Sequence, residues 1–114
     1  MRAAPQAPDR GDIVWVDFDP QAGHEQAGRR PALIVSPRSY NQKVGLVLLC
    51  PITTQRKGYP FEVPLPKGLK VGGVVLADQI KSMDWHARQA EFWCKAPAAT
   101  LLEVIGKAQS LLAV

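Results

Sequence analysis

The chain has little cysteine, no long apolar run and, across one 29-residue stretch, no acid at all. Cys50 and Cys94 are its two cysteines, and they form neither a CxxC pair nor a metal-ligand spacing. That excludes a disulfide scaffold and the usual zinc patterns. Isolated thiols in apolar surroundings are expected to stay reduced in a cytosol. No apolar stretch approaches the ~20 residues that span a bilayer. The first residues, rich in alanine, proline and glutamine, lack the apolar core of a signal peptide. The reading is a soluble, cytoplasmic protein with no membrane partner. Internal repeats and low-complexity tracts are missing too. Hydrophobic residues at 46% and charged residues at 21% exclude a disordered tail, and 114 residues hold one core but do not divide.

The missing acids are those between Arg29 and Lys57. That stretch holds six basic residues (Arg29, Arg30, Arg38, Lys43, Arg56, Lys57), whereas the first 28 residues carry five acids against two arginines. The net charge of +4 favours an anionic partner. A solubilising face would also account for the basic block. Its interleaved Asn41, Gln42, Thr53, Thr54, Gln55 and Tyr59 suit a phosphate backbone with exposed bases.

Taken in order, residues 1–10 are expected to form a flexible arm, and residues 11–114 a single domain. Asp12 to Phe18 alternates as a strand, with Val14, Val16 and Phe18 on one face and Ile13, Trp15 and Asp17 on the other. A glycine-bracketed loop, Gly23 to Gly28, carries His24, Glu25 and Gln26, and runs through Arg29 and Arg30 into a strand over Ala32 to Ser36 that starts at Pro31. Loops feeding rigid strands commonly carry functional side chains; a plain Glu25–Arg30 surface pair is the bland alternative. Tyr40 to Lys43 suggests one helical turn. Leu46 to Cys50 reads as a buried strand, and Pro51 as a bend in it. Phe61 to Leu65 is expected at a sheet edge because of Pro64, Val74 to Ala77 and Glu91 to Cys94 as further strands. Pro97 opens a helix with an apolar stripe at Leu101, Ile105, Ala108 and Leu112. Gly106 costs that helix ~1 kcal/mol against alanine, which packing is expected to offset. The fold class is mainly β with α: a small barrel of short strands closed by a C-terminal helix. Polar residues at Glu25 to Arg30, Thr53 to Gln55 and Asp78-Gln79 flank apolar strands, and make one cleft if those strand ends meet.

Several segments carry a resemblance. Gly11-Asp12-Ile13-Val14-Trp15-Val16-Asp17-Phe18-Asp19-Pro20, Glu25-Gln26-Ala27-Gly28, Arg30-Pro31-Ala32, Pro51-Ile52-Thr53-Thr54-Gln55, Lys57-Gly58-Tyr59-Pro60-Phe61-Glu62-Val63 and Ala77-Asp78-Gln79-Ile80-Lys81-Ser82 resemble, in order, the MazF/PemK toxin family. The likeness runs from about Gly11 to Arg88. It implies an SH3-like barrel of the MazF/PemK/CcdB kind, a homodimer in the bacterial cytoplasm, and a sequence-specific endoribonuclease toxin of a type II toxin–antitoxin module. Such enzymes cleave single-stranded RNA, chiefly mRNA, without metal or cofactor, leaving 2′,3′-cyclic phosphate and 5′-hydroxyl ends. A MazE-like antitoxin with an acidic, unstructured tail is the implied partner. By position, Arg30 and Thr53 match the family's catalytic arginine and threonine, and Glu25 its loop glutamate. Arg29, Gln26, Asn41, Thr54, Gln55, Lys57, Tyr59, Gln79 and Lys81 become candidate RNA contacts.

The residue types fit that chemistry. Attack of a 2′-hydroxyl on its own phosphate adds negative charge to the phosphoryl oxygens, which a guanidinium's planar donors stabilise. Thr53 adds a hydrogen bond, and Glu25 is a candidate base. An arginine is a poor base, with a pKa above ~12. His24 and His86 suggest a two-histidine mechanism but stand in unrelated segments. Trp15, Trp85 and Trp93 read first as core or dimer residues, with RNA platforms the alternative, and Asp78 as a structural hydrogen-bonding group. Two other readings share the fold: a gyrase-poison toxin, and a non-catalytic RNA-binding relative.

Overall fold

The strand over Asp12–Phe18, β1, forms as its alternation predicts and is buried on both faces. Val14, Val16 and Phe18 pack with Ala32, Ile34, Val47, Leu49, Met83 and Trp85 on one side. Ile13 packs with Leu33, Cys50, Ile52, Val75 and Val104 on the other. The computed structural model describes residues 6–18 and 28–113. After β1 come β2 (Gly28–Ile34), α1 (Arg38–Val44), β3 (Leu46–Thr53), β4 (Glu62–Pro64), β5 (Val74–Leu76), β6 (Lys81–Asp84), β7 (Glu91–Lys95) and α2 (Ala98–Ser110). The strands lie in the order β4-β5-β3-β2-β1-β7, with β6 also paired to β3. This is a barrel-like sheet with a C-terminal helix, as expected, but the sheet does not close: β4 and β7 remain its two ends among the described residues.

Several elements depart from expectation for identifiable reasons. β2 begins at Gly28, not Ala32, because Gly28, Arg29 and Arg30 pair with Phe18, Asp17 and Val16 of β1. Pro31 is tolerated inside it because β3 pairs with β2 only from Ala32 onward, leaving Pro31 no ladder bond to donate on that side. β3 runs straight through Pro51. Around that residue its other edge passes from β6, opposite Leu46 to Leu49, to β5, opposite Ile52 and Thr53. β6 was not expected at all: only Met83 of its four residues is buried, so it carries too little apolar pattern to announce itself.

The supposed arm is anchored from Ala7 onward. Ala7 is buried at 1% exposure, and its N–H donates to Gln42 Oε1 at 2.8 Å. Arg38 Nε donates to the Ala7 carbonyl, and Asn41 Nδ2 to that of Pro8. α1 is two turns rather than one. A helix that short needs tertiary support, which comes from Asn41 beneath it; Gly45 closes it in the left-handed region at φ +83°, donating to the Asn41 carbonyl. In α2, the fully buried residues are Thr100 and Val104; of the expected stripe, Leu101, Ile105 and Ala108 are half-buried and Leu101 packs on the core, while Leu112 is 75% exposed. The helix is held by Leu101 beside Gly11 and by Lys107 Nζ, which donates to the Pro60 carbonyl at 2.7 Å. Gly106 faces open space, so no packing offsets its cost. No described helix is long and apolar enough to cross a membrane.

Candidate functional site

The expected single cleft is instead two, with Thr53 in the lining of both; of the expected segments, Glu25 to Ala27 lie outside the described residues. Pairing of β2 with β3 stops at Ala32–Pro51; extended by two residues, the same register sets Arg30 across from Thr53. Where the two strands part, a cleft of about 200 Å³ opens, lined by Arg30, Thr53, Thr54, Trp15 and Trp93 among others. On the far side of Thr53 lies a second cleft of about 280 Å³, lined by Thr53, Gln55, Lys57, Tyr59, Asp78 and Gln79 with Glu62 and Leu76. Thr53 therefore stands between two hollows.

Backbone geometry fixes Thr53 tightly. It is 6% exposed and pairs with Val74. Gly73, at φ +102°, passes so close that an added Cβ would lie 2.2 Å from the Thr53 carbonyl oxygen. Only glycine fits there. The Thr53 hydroxyl oxygen accepts the Gln55 N–H at 3.1 Å, and a hydroxyl that accepts still has one proton to donate.

The second cleft is shaped by a relay of side chains. Glu62 accepts the backbone N–H groups of Lys57 and Gly58, each at 2.8 Å, and so closes the turn that carries Lys57 and Tyr59. Tyr59 donates its hydroxyl to Asp78 Oδ1 at 2.9 Å. Burial, and then this carboxylate, push the Tyr59 phenol up to about 12, so it stays neutral and holds its bond at working pH. Asp78 is a structural acceptor, as its sequence suggested. The Gln79 side-chain oxygen is buried with no hydrogen-bond partner among the described residues, a state that costs free energy until a donor arrives.

Other candidates fall elsewhere. Arg29, next to Arg30 in a strand, faces the opposite way. It is bonded to Asp17 at 2.9 Å, Glu91 at 3.1 Å and the Gln89 carbonyl at 3.0 Å, and its pKa is raised first by the Asp17 hydrogen bond. It ties β1, β2 and β7 together. Asn41 is a correction. With 0% exposure, it accepts the Ser36 hydroxyl at 2.6 Å and donates to the Ser36 and Pro8 carbonyls, so it has no surface to offer RNA. Lys81 lies in β6 opposite Leu49 and lines neither cleft. His86 is exposed, edge-on to Trp85 at 5.9 Å. Glu25, Gln26 and His24 lie outside the described residues. The basic block is thus dispersed: Arg29 and Arg38 serve the fold, whereas Arg30 and Lys57 reach the clefts. The cysteines are remote from this chemistry, and burial pushes the Cys50 thiol up to about 12.

Sequence reasoning ranked Trp15 and Trp93 as core or dimer residues ahead of RNA platforms, whereas both line a cleft. Their rings stack at 4.7 Å between centroids and 28° between planes, and both are half-buried. The pairing depends on a bulge. Cys94 stands opposite Ile13 and Phe92 opposite Val14, so Trp93 is the extra residue, re-aimed onto the Trp15 face. No periodicity in the sequence marks that bulge.

Comparison with known proteins agrees with this geometry. Residues 9–112 match the family model of the PemK-like, MazF-like toxins of type II toxin–antitoxin systems. The endoribonuclease toxin MazF of Escherichia coli K12 is 60% identical over 83 residues, covering 73% of this chain and 74% of that one. A crystal structure of MazF from Deinococcus radiodurans superposes with a TM-score of 0.90 at 57% identity, covering 95% of this chain and 98% of that chain. A MazE–MazF complex from the same organism superposes at 0.85 and 58% identity, covering 93% and 96%.

Proposed function

The chain belongs to the PemK-like, MazF-like toxin family, and from that premise we propose that it is a sequence-specific endoribonuclease toxin, cutting single-stranded RNA, chiefly mRNA, at a phosphate seated between Arg30 and Thr53. The observation that carries this reading is the meeting of those two residues, 23 positions apart in the chain, in the lining of one cleft. The 2′-hydroxyl attacks its adjacent phosphorus, and the 5′-oxygen of the next nucleotide leaves. The products are a 2′,3′-cyclic phosphate and a 5′-hydroxyl. Arg30 stabilises charge growing on the phosphoryl oxygens with fixed donors. The Thr53 hydroxyl donates a further bond, its own oxygen being held by Gln55. Glu25 is the candidate base for the 2′-hydroxyl proton, and the departing 5′-oxygen takes up a proton from solvent to become the 5′-hydroxyl. Lys57 and Thr54 take backbone phosphates, while Gln55, Tyr59 and Gln79 face a base in the second cleft. The reaction needs no metal or cofactor.

The protein works as a homodimer in the bacterial cytoplasm, silenced by a MazE-like antitoxin whose acidic tail occupies the same clefts. The named MazE–MazF complex supports that partner.

The test is cleavage of a long unstructured RNA in EDTA, with every new end mapped and its end group identified. Wild type is expected to cut at one short motif and leave 5′-hydroxyl ends. Arg30→Ala is expected to lose ~1,000-fold or more in kcat while remaining folded. Folded, antitoxin-free wild type that makes no cuts refutes the proposal.

A further inference from the structure

We infer that the hollow between the parted ends of β2 and β3 is a nucleotide subsite, in which the Trp15–Trp93 pair takes by stacking the base on one side of the cut. The inference rests on the proposed function. The two indoles form a half-buried wall of a cleft of about 200 Å³ whose lining also includes Arg30 and Thr53. A phosphate between those two residues has the Tyr59–Asp78–Gln79 cleft on one side and the indole cleft on the other, because Thr53 borders both. The two sides differ in chemistry. The Tyr59 side presents amide, phenol and carboxylate groups that recognise hydrogen-bonding edges. The tryptophan side presents two indoles, with Pro31 and Ile52 in the same lining, and every base has a π-face to lay against an aromatic ring.

A core role alone leaves features unexplained. Trp93 packs against the buried cluster around Ile13, yet both rings also line the open hollow. The bulge that turns Trp93 towards Trp15 also spends the register between β1 and β7, a device found beside functional sites. An apolar side chain of a protein partner is the competing occupant. The base is favoured because the same hollow is edged by Arg30 and by the Thr53 and Thr54 hydroxyls, which match a phosphate and a ribose.

The experiment pairs protein variants with abasic RNA. A short RNA carrying the mapped cleavage motif is made with a single abasic ribose at each position in turn, and kcat and KM are measured for wild type, Trp93→Leu and Trp93→Phe. Trp93→Leu keeps apolar bulk against the core and removes the ring face; thermal melting checks that it folds. The expected result is a rise in KM of about 5- to 150-fold for Trp93→Leu, with kcat little changed and Trp93→Phe partly restored. That rise should vanish on the RNA lacking the base next to the cut on one side, and persist on all others. It should also be similar for each of the four bases there. A loss of equal size on every abasic RNA makes Trp93 structural and overturns the subsite. So does unaltered RNA cleavage with weakened binding of an acidic antitoxin peptide. Wild type that cuts no RNA overturns the proposed function and the subsite together, whereas wild type that cuts without coupling overturns the subsite alone.

Discussion

Gly73→Ala tests the structural support of the site most directly. The new Cβ would stand 2.2 Å from the Thr53 carbonyl oxygen and 2.9 Å from its carbon, where real Cβ contacts essentially never fall below 3.0 Å. The Thr53 peptide must retreat by about 0.8 Å, because a close-packed interior has no slack to absorb the overlap. A φ of +102° adds about 1–2 kcal/mol of backbone strain for alanine. Weakening the Thr53–Val74 rung adds about 1 kcal/mol more. The stability loss is therefore about 2–3 kcal/mol, read as a fall in Tm of ~10 °C and checked by urea unfolding. Activity should suffer separately, since a displacement near 1 Å costs ~100-fold in rate. The assay is kcat on saturating RNA at a temperature where both proteins are fully folded. Gly72→Ala is the control: its Cβ meets nothing within 4 Å, so stability should stay within ~0.5 kcal/mol. Gly73→Ala with wild-type Tm refutes the steric argument. A lowered Tm with wild-type kcat refutes the claim that this glycine positions a catalytic threonine.

Three further outcomes are expected. Asn41→Leu leaves the Pro8 and Ser36 carbonyls and the Ser36 hydroxyl without their partner, so it should cost about 2–4 kcal/mol in urea unfolding yet leave kcat/KM per folded molecule near wild type; a selective loss of RNA affinity would restore Asn41 as a contact. The Tyr59 phenol is raised to about 12 against about 10 unfolded. Between those values the unfolded chain has lost a proton that the folded one keeps, so stability falls as pH rises from about 10 to 12; a pH series of melts should show that slope reduced in Tyr59→Phe. Gly106→Ala fills open space on α2 and should raise stability by about 1 kcal/mol, seen as a Tm increase of ~4 °C.

Much of this protein was written locally. The alternation of Val14, Val16 and Phe18 against Ile13 and Trp15 set β1 to the residue, since a period of two allows only one register with both faces buried. Pro64 placed β4 at an edge, and the ordered motifs from Gly11 to Ser82 named the family. Arg30 and Thr53 were legible as candidate site residues through that likeness, and they line one cleft. Other features depended on contacts between distant segments. Arg29 and Arg30 are identical in composition and adjacent, yet strand pairing sends one to Asp17 and Glu91 and leaves the other lining a cleft. Asn41 looks like a surface polar residue until Ser36, Pro8 and Trp85 close around it. The bulge that turns Trp93 onto Trp15, the open sheet and the Gly73–Thr53 contact arise from how strands meet. Sequence determined which segments form strands and which family they build; tertiary structure decided which way neighbouring side chains face, because that follows from partners dozens of residues away.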